Sequence, residues 1–163
     1  MTDLSTVSEL EKALTFYEVY HSEKRNKIIH FVFVPLLLYT GFVIAFHIHN
    51  LIPFLAFIGY SFYYVGLDSV VGTTYIPIMF QMLFHIQSIS LLTAILIHVS
   101  SWIVQILSHK YFEGRAPAIT QGFFQAITIA PLFTWYELYR LGGYKKELFD
   151  RIEENAKNIV LNR

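Results

Sequence analysis

Cysteine is absent, so no disulfide or thiolate ligand is available, and any metal must be held by histidine, aspartate or glutamate. Charge is missing where a soluble protein needs it. From Phe31 through Ser108 the only formally charged residue is Asp68. A soluble core cannot hide so long an uncharged run, which marks a polytopic membrane protein. The 12 basic and 12 acidic residues leave no net charge, and this argues against nucleic-acid binding. The opening MTDLSTVSELEK has no basic stretch followed by an apolar core, so it does not read as a signal peptide. Internal repeats, linkers and low-complexity segments are also absent.

What is present is apolar. Of the 163 residues, 55% are hydrophobic and only 15% charged, well away from the usual soluble balance. The expected fold is all-α: one polytopic integral membrane helical bundle spanning 1–163, with four full spans, a C-terminal broken or re-entrant hairpin and amphipathic terminal helices. Residues 7–22 carry Leu10, Leu14, Tyr17 and His21 at helical spacing, with Ser8 and Glu11 as a capping box. Spans are expected at 27–47, 51–67, 69–84 and 89–110, with Asn26 capping the first and Asp68 the third. The stretch 118–140 contains Pro131 and is followed by Arg140, Lys145 and Lys146. A full fifth crossing would strand those charges, so a re-entrant path is preferred. An amphipathic cytoplasmic helix is expected over 143–160.

Lys24, Arg25 and Lys27 precede the first span and place its start in the cytoplasm. Four crossings return the chain to that side at Lys110 and Arg115. His21, His30, Asp68 and His109 therefore share one membrane face, whereas His47, His49 and His85 fall on the other.

The polar residues of the last span form a stripe. His109 and Glu113 stand four apart, one above the other on a helix, where an imidazole nitrogen and a carboxylate oxygen can face one ion. Gln105, Trp102 and His98 continue that face backwards. Such groups are costly in hydrocarbon and must face protein, a cavity or a ligand. The residues suggest a metal site of His21, His30 and His109 with Glu113 as a candidate fourth ligand, and a role for the same residues in catalysis. In one continuous helix His21 and His30 would lie on opposite faces, roughly 13 Å apart along the axis, so a break at Ser22–Asn26 is required. Imidazole and carboxylate with open positions suit iron(II) oxygen chemistry, and zinc accepts the same ligands. Asn26 and Gln105 are candidates to orient the ligating rings, although Asn26 could serve only as a cap and Gln105 only bind a carbonyl. His98, about 16 Å from His109, is too far to share an ion. It either hydrogen-bonds a neighbouring helix or borders a substrate channel.

Two motifs, YHSEKRNKIIH from Tyr20 to His30 and WIVQILSHKYFEGRAPA from Trp102 to Ala118, with the closing APLFTWYE from Ala130 to Glu137, resemble a known membrane family over nearly the whole chain. It is the family of iron(II)-dependent 2-hydroxy fatty acid dioxygenases of phytosphingosine breakdown. The resemblance implies an Fe2+ enzyme of the endoplasmic reticulum membrane that takes a 2-hydroxy fatty acid and O2 to the acid one carbon shorter, releasing CO2. One departure is Ser108, where the family usually has glycine. A cation such as Arg115, Arg25 or Lys24 would hold the carboxylate, and the acyl tail would lie between the spans. Competing readings are a di-iron lipid hydroxylase, which needs more histidines on one side, a non-catalytic lipid-binding or scaffold protein, and a transporter.

Overall fold

The computed structural model describes residues 8–117 and 127–161, and every regular element among them is helical. The helices are α1 (Glu9–Tyr20), α2 (Lys24–Ile48), α3 (Ile52–Leu67), α4 (Ser69–Phe84), α5 (Leu91–Ser108), α6 (Ala130–Leu141) and α7 (Lys146–Leu161). A π-helical turn, His109–Glu113, prolongs α5. The hairpin expected over 118–140 falls partly on residues 118–126, which lie outside the described residues.

Local chemistry sets the helix ends. Ser8 Oγ accepts from the Glu11 amide at the start of α1, while the Glu11 carboxylate takes Arg151 of α7. Pro53 occupies the first turn of α3, where its missing N–H costs nothing. Asn26 is not the cap of α2, since that helix begins two residues earlier and leaves Asn26 inside its first turn.

Helix α2 is central and packs against α5, α3, α6 and α4, while α1 lies on α7. It runs antiparallel to α5: His30 meets His109 near one end, and Thr40 bonds His98 further along. Helices α3 and α4 approach so closely at Gly72 that a Cβ there would stand 2.4 Å from the Tyr64 carbonyl carbon and oxygen. Only glycine fits at that crossing.

Two helices are long and apolar enough to cross a bilayer, Lys24–Ile48 and the continuous Leu91–Glu113. Only 28% and 22% of their most apolar windows are buried, a lower share than the core helix of a soluble protein shows. Helices α3 and α4 have 16 residues each, about 24 Å of rise, short of a hydrocarbon core of about 30 Å. Of the four full spans expected, two thus have the required length.

The charges gather at the helix ends. Lys27 Nζ lies 2.7 Å from Glu18 and 3.2 Å from Glu137; Arg140 joins both carboxylates and reaches Glu153. This network ties α1, α2, α6 and α7. The side chains of Lys27 and Glu18 are 12% and 8% exposed, so the pair escapes the screening that makes surface pairs weak. Asp68 caps α4 through the Val70 and Val71 amides and accepts from Tyr136 Oη (2.7 Å) and Lys145 Nζ (2.6 Å). Burial pushes its pKa up, but the Lys145 and Tyr136 bonds and the Val71 amide outweigh that and hold it below the usual aspartate range.

Two predictions follow from this packing. Gly72→Ala should cost about 1–3 kcal/mol by overpacking, whereas Gly66→Ala, with nothing within 4 Å of its Cβ, should be neutral or stabilising; thermal unfolding in detergent compares them. The stability supplied by Asp68 is complete above the ordinary aspartate pKa and is lost as pH falls through its lower native value. Asp68→Asn should therefore lower Tm at neutral pH and flatten the acid limb of the Tm–pH profile.

Candidate metal centre

The break between α1 and α2 brings three histidines together. His21 ends α1, its amide donating to the Glu18 carbonyl; Ser22 and Glu23 turn the chain, and His30 follows on α2. His109 arrives from the end of α5. Ring centres stand 4.5 Å (His21–His30), 4.6 Å (His21–His109) and 4.9 Å (His30–His109) apart, with interplanar angles of 73–81°. All three side chains are buried, and one ring nitrogen of each lies within 4.8 Å of the others.

The donor chemistry fits a metal ion. His21 Nδ1 lies 2.9 Å from the Tyr17 carbonyl and His30 Nδ1 lies 2.9 Å from the Asn26 carbonyl. A carbonyl can only accept, so both Nδ1 atoms carry the proton and both Nε2 atoms keep a free lone pair. His109 Nδ1 is buried with no hydrogen-bond partner among the described residues. With nitrogen–metal bonds of about 2.1 Å and each ring centre about 1 Å behind its nitrogen, three rings about 90° apart around one ion would be about 4.5 Å apart. The observed spacings match. Burial, then the neighbouring His30 and His109, holds the His21 pKa well below the usual imidazole range, so this ring is neutral at pH 7 and able to ligate.

Glu113 belongs elsewhere. The π turn alters the i, i+4 register on which the His109–Glu113 pairing rested, and Gly114, left-handed at φ 67°, ends it. Glu113 Oε1 accepts from the Glu23 amide and Asn26 Nδ2 (both 3.0 Å), and Oε2 from Ser22 Oγ (2.8 Å), with Arg115 3.6 Å away. The carboxylate thus clamps the break that separates His21 from His30, and it is not among the clustered donors. Asn26 contributes its backbone carbonyl to His30, while its side chain joins Glu113 to Ser108, whose hydroxyl donates to Asn26 Oδ1 (2.6 Å). The serine at the departure from the resembled motif is therefore a strut between α5 and α2.

Gln105 Nε2 donates to the Ser101 carbonyl (3.3 Å) and meets no histidine nitrogen. His98 stands away from the cluster, its nitrogens engaged by Thr40 Oγ1 (2.9 Å) and Trp102 Nε1 (3.2 Å). Both residues line a cavity of about 320 Å³ that opens from the three histidines between α2 and α5. His98 thus bonds a neighbouring helix through Thr40 and also lines the cavity. Arg115 does not line the cavity itself, but its guanidinium stands 5.7 Å from the ring centre of Tyr20, which does. The sequence reading missed Tyr17, which stacks on His21 at 3.6 Å and on Phe133 at 3.6 Å and so fixes the imidazole plane. Its place one turn before His21 was the available signal.

A helical bundle with a buried, neutral trio of imidazoles at the head of an apolar cavity defines a protein able to hold a metal ion next to a lipid-like ligand. The chain matches the Mpo1-like family, described as 2-hydroxy-palmitic acid dioxygenase Mpo1-like, over residues 7–70 and 68–141, and it belongs to that family. It is 25% identical over 167 aligned residues to 2-hydroxy-palmitic acid dioxygenase MPO1 of Saccharomyces cerevisiae, covering 95% of this chain and 96% of that protein. No solved structure matches it.

If Glu113 acts through the clamp, Glu113→Ala should weaken metal binding by about 10–100-fold, as loss of an outer partner does. Removal of His30 or His109 should abolish it. Metal titration of purified protein measures both, and equal loss in all three variants would make Glu113 a ligand instead.

Proposed function

We propose that this chain is an iron(II)-dependent dioxygenase that converts a 2-hydroxy fatty acid and O2 into the fatty acid one carbon shorter, CO2 and water. The observation that carries the reading is the arrangement of His21, His30 and His109, whose lone pairs converge at the closed polar end of an apolar cavity, in a chain of the Mpo1-like family. Three nitrogen ligands leave coordination positions open, as iron oxygenases require. The stoichiometry closes: the bond between C1 and C2 breaks, C1 leaves as CO2, C2 becomes the new carboxyl carbon, and O2 accepts the four electrons released.

Bound iron(II) would supply O2 activation and a Lewis-acid anchor for the carboxylate and 2-hydroxyl. The protein's own part is positional. Tyr17 and Asn26 carbonyls fix the ring tautomers, the Tyr17–Phe133 stack holds His21 in plane, and the surrounding apolar side chains exclude water. Arg115 is the cation for the substrate carboxylate in this reading: its guanidinium stands over Tyr20, which lines the cavity, and its Nε is buried with no hydrogen-bond partner among the described residues. In this reading α2 to α5 cross the membrane four times, α3 and α4 as short spans, the histidines face the cytosol, and in a eukaryotic cell the membrane is that of the endoplasmic reticulum.

The competing classes fit less well. A di-iron centre needs more donors than three imidazoles, and Glu113 is engaged in the clamp. A transporter would use Asp68, which is held by Lys145 and Tyr136. A scaffold has no use for three buried imidazoles with converging lone pairs.

Purified protein loaded anaerobically should bind one iron per chain and, on admitting O2, release labelled CO2 from a C1-labelled 2-hydroxy acid. Two irons per chain, or no labelled CO2 from the loaded protein, would refute the reading. Arg115→Gln should raise KM by roughly 10–100-fold, the worth of a charge-assisted hydrogen bond, with a smaller change in kcat. An unchanged KM would release Arg115 from this role.

A further inference from the structure

The cavity has a polar head, and small residues contribute to its far end beside Phe42 and Tyr60. Gly41 and Ala45 on α2 and Ala56 on α3 line it remote from the histidines. Ala45 is 45 − 30 = 15 residues beyond His30 on the same helix, so the distance from head to far end is about 22 Å. Between the two ends His98 is bonded through both nitrogens, Gln105 Nε2 reaches Ser101, and Tyr60 Oη donates to the Ile127 carbonyl (3.2 Å). The rest of the lining is mainly apolar, and such a passage favours an unsubstituted alkyl chain, because a polar substituent there would be buried with few partners.

We propose that Gly41, Ala45 and Ala56 form the end wall of an acyl tunnel and set the longest tail the protein accommodates. The orientation, with the acid head at the histidines and the tail toward α3, rests on the function proposed above. Side-chain size at these three positions is then a chain-length gauge. Each buried methylene strengthens binding by roughly fourfold, from about 0.8 kcal/mol per CH2. Affinity should therefore climb with tail length until the tail meets the wall and then level off.

The test uses the detergent-purified full chain and a homologous series of saturated 2-hydroxy acids, from short to long. Binding is followed by the fluorescence of Trp102, which lines the cavity. In wild type, Kd should fall roughly fourfold per added methylene and then plateau. Gly41→Leu and Ala45→Leu should bring the plateau to shorter acids by several methylenes while leaving the affinity of the shortest acids unchanged. Gly41→Ala adds only a Cβ, at 4.0 Å from His98 Cε1, an ordinary contact that the fold tolerates. It should shorten the limit by about one methylene, a roughly fourfold loss for the longest acid that wild type accommodates. A plateau that does not move in Gly41→Ala, or affinity that does not depend on tail length in wild type, would overturn the gauge. Normal gauging without release of C1 would remove the proposed reaction and leave the gauge standing. Oxidation whose length profile ignores these substitutions would do the reverse.

Discussion

The clamp of Glu113 over the α1–α2 break is the contact on which the rest of the site depends. His21 and His30 are nine positions apart, and a continuous helix would place them on opposite faces. Stopping α1 at Tyr20 and restarting at Lys24 lets both rings turn inward, but it leaves polar backbone and side chains at Ser22, Glu23 and Asn26 to be satisfied. A single carboxylate from the end of α5 accepts from all three. The same contact sets the height of His109, four residues before Glu113, against the other two histidines. Folding the break and assembling the donors are one event.

A similar economy governs the remaining charges. In a chain whose middle is almost uncharged, several of the ionised side chains outside the site pin one helix to another. Lys27 and Arg140 join Glu18, Glu137 and Glu153 across four helices. Asp68 holds the α3–α4 junction to α6 and Lys145. Two of the three cations whose position argued against a fifth crossing thus have partners: Arg140 in the first network and Lys145 at Asp68. These pins lie at helix ends, where water is near and the desolvation cost is smaller than in the middle of the bundle. That leaves the middle free for the apolar cavity.

Much of this was legible in the sequence for identifiable reasons. The uncharged run and its apolar periodicity specify helices, because nothing else satisfies backbone groups in such surroundings. The need for a break between His21 and His30 came from helix geometry alone, and the break is there. The sequence reading assumed an ideal α-helix at His109–Glu113, where the chain forms a π turn and Glu113 meets Ser22, Glu23 and Asn26. Asn26 was misjudged for a related reason, since a cap residue and a cross-helix strut look alike until the partner Ser108 is known. Helices α3 and α4, Ile52–Leu67 and Ser69–Phe84, lie almost where 51–67 and 69–84 were expected, but hydropathy alone did not show that 16 residues fall short of a full span.

The character of the donor set bears on the choice of ligand. Three neutral imidazoles would do nothing to offset the charge of a divalent ion, and the nearby carboxylate, Glu113, is engaged by three donors and by Arg115. A centre so built favours an anion in its open positions, since burying uncompensated charge beside an apolar cavity is costly. A carboxylic acid with a long tail meets both demands, charge at the head and methylene packing behind it. A neutral lipid of the same length would meet only the second. In the proposed reaction, a Glu113 carboxylate held by Ser22, Glu23 and Asn26 would leave the place beside the histidines to the substrate's.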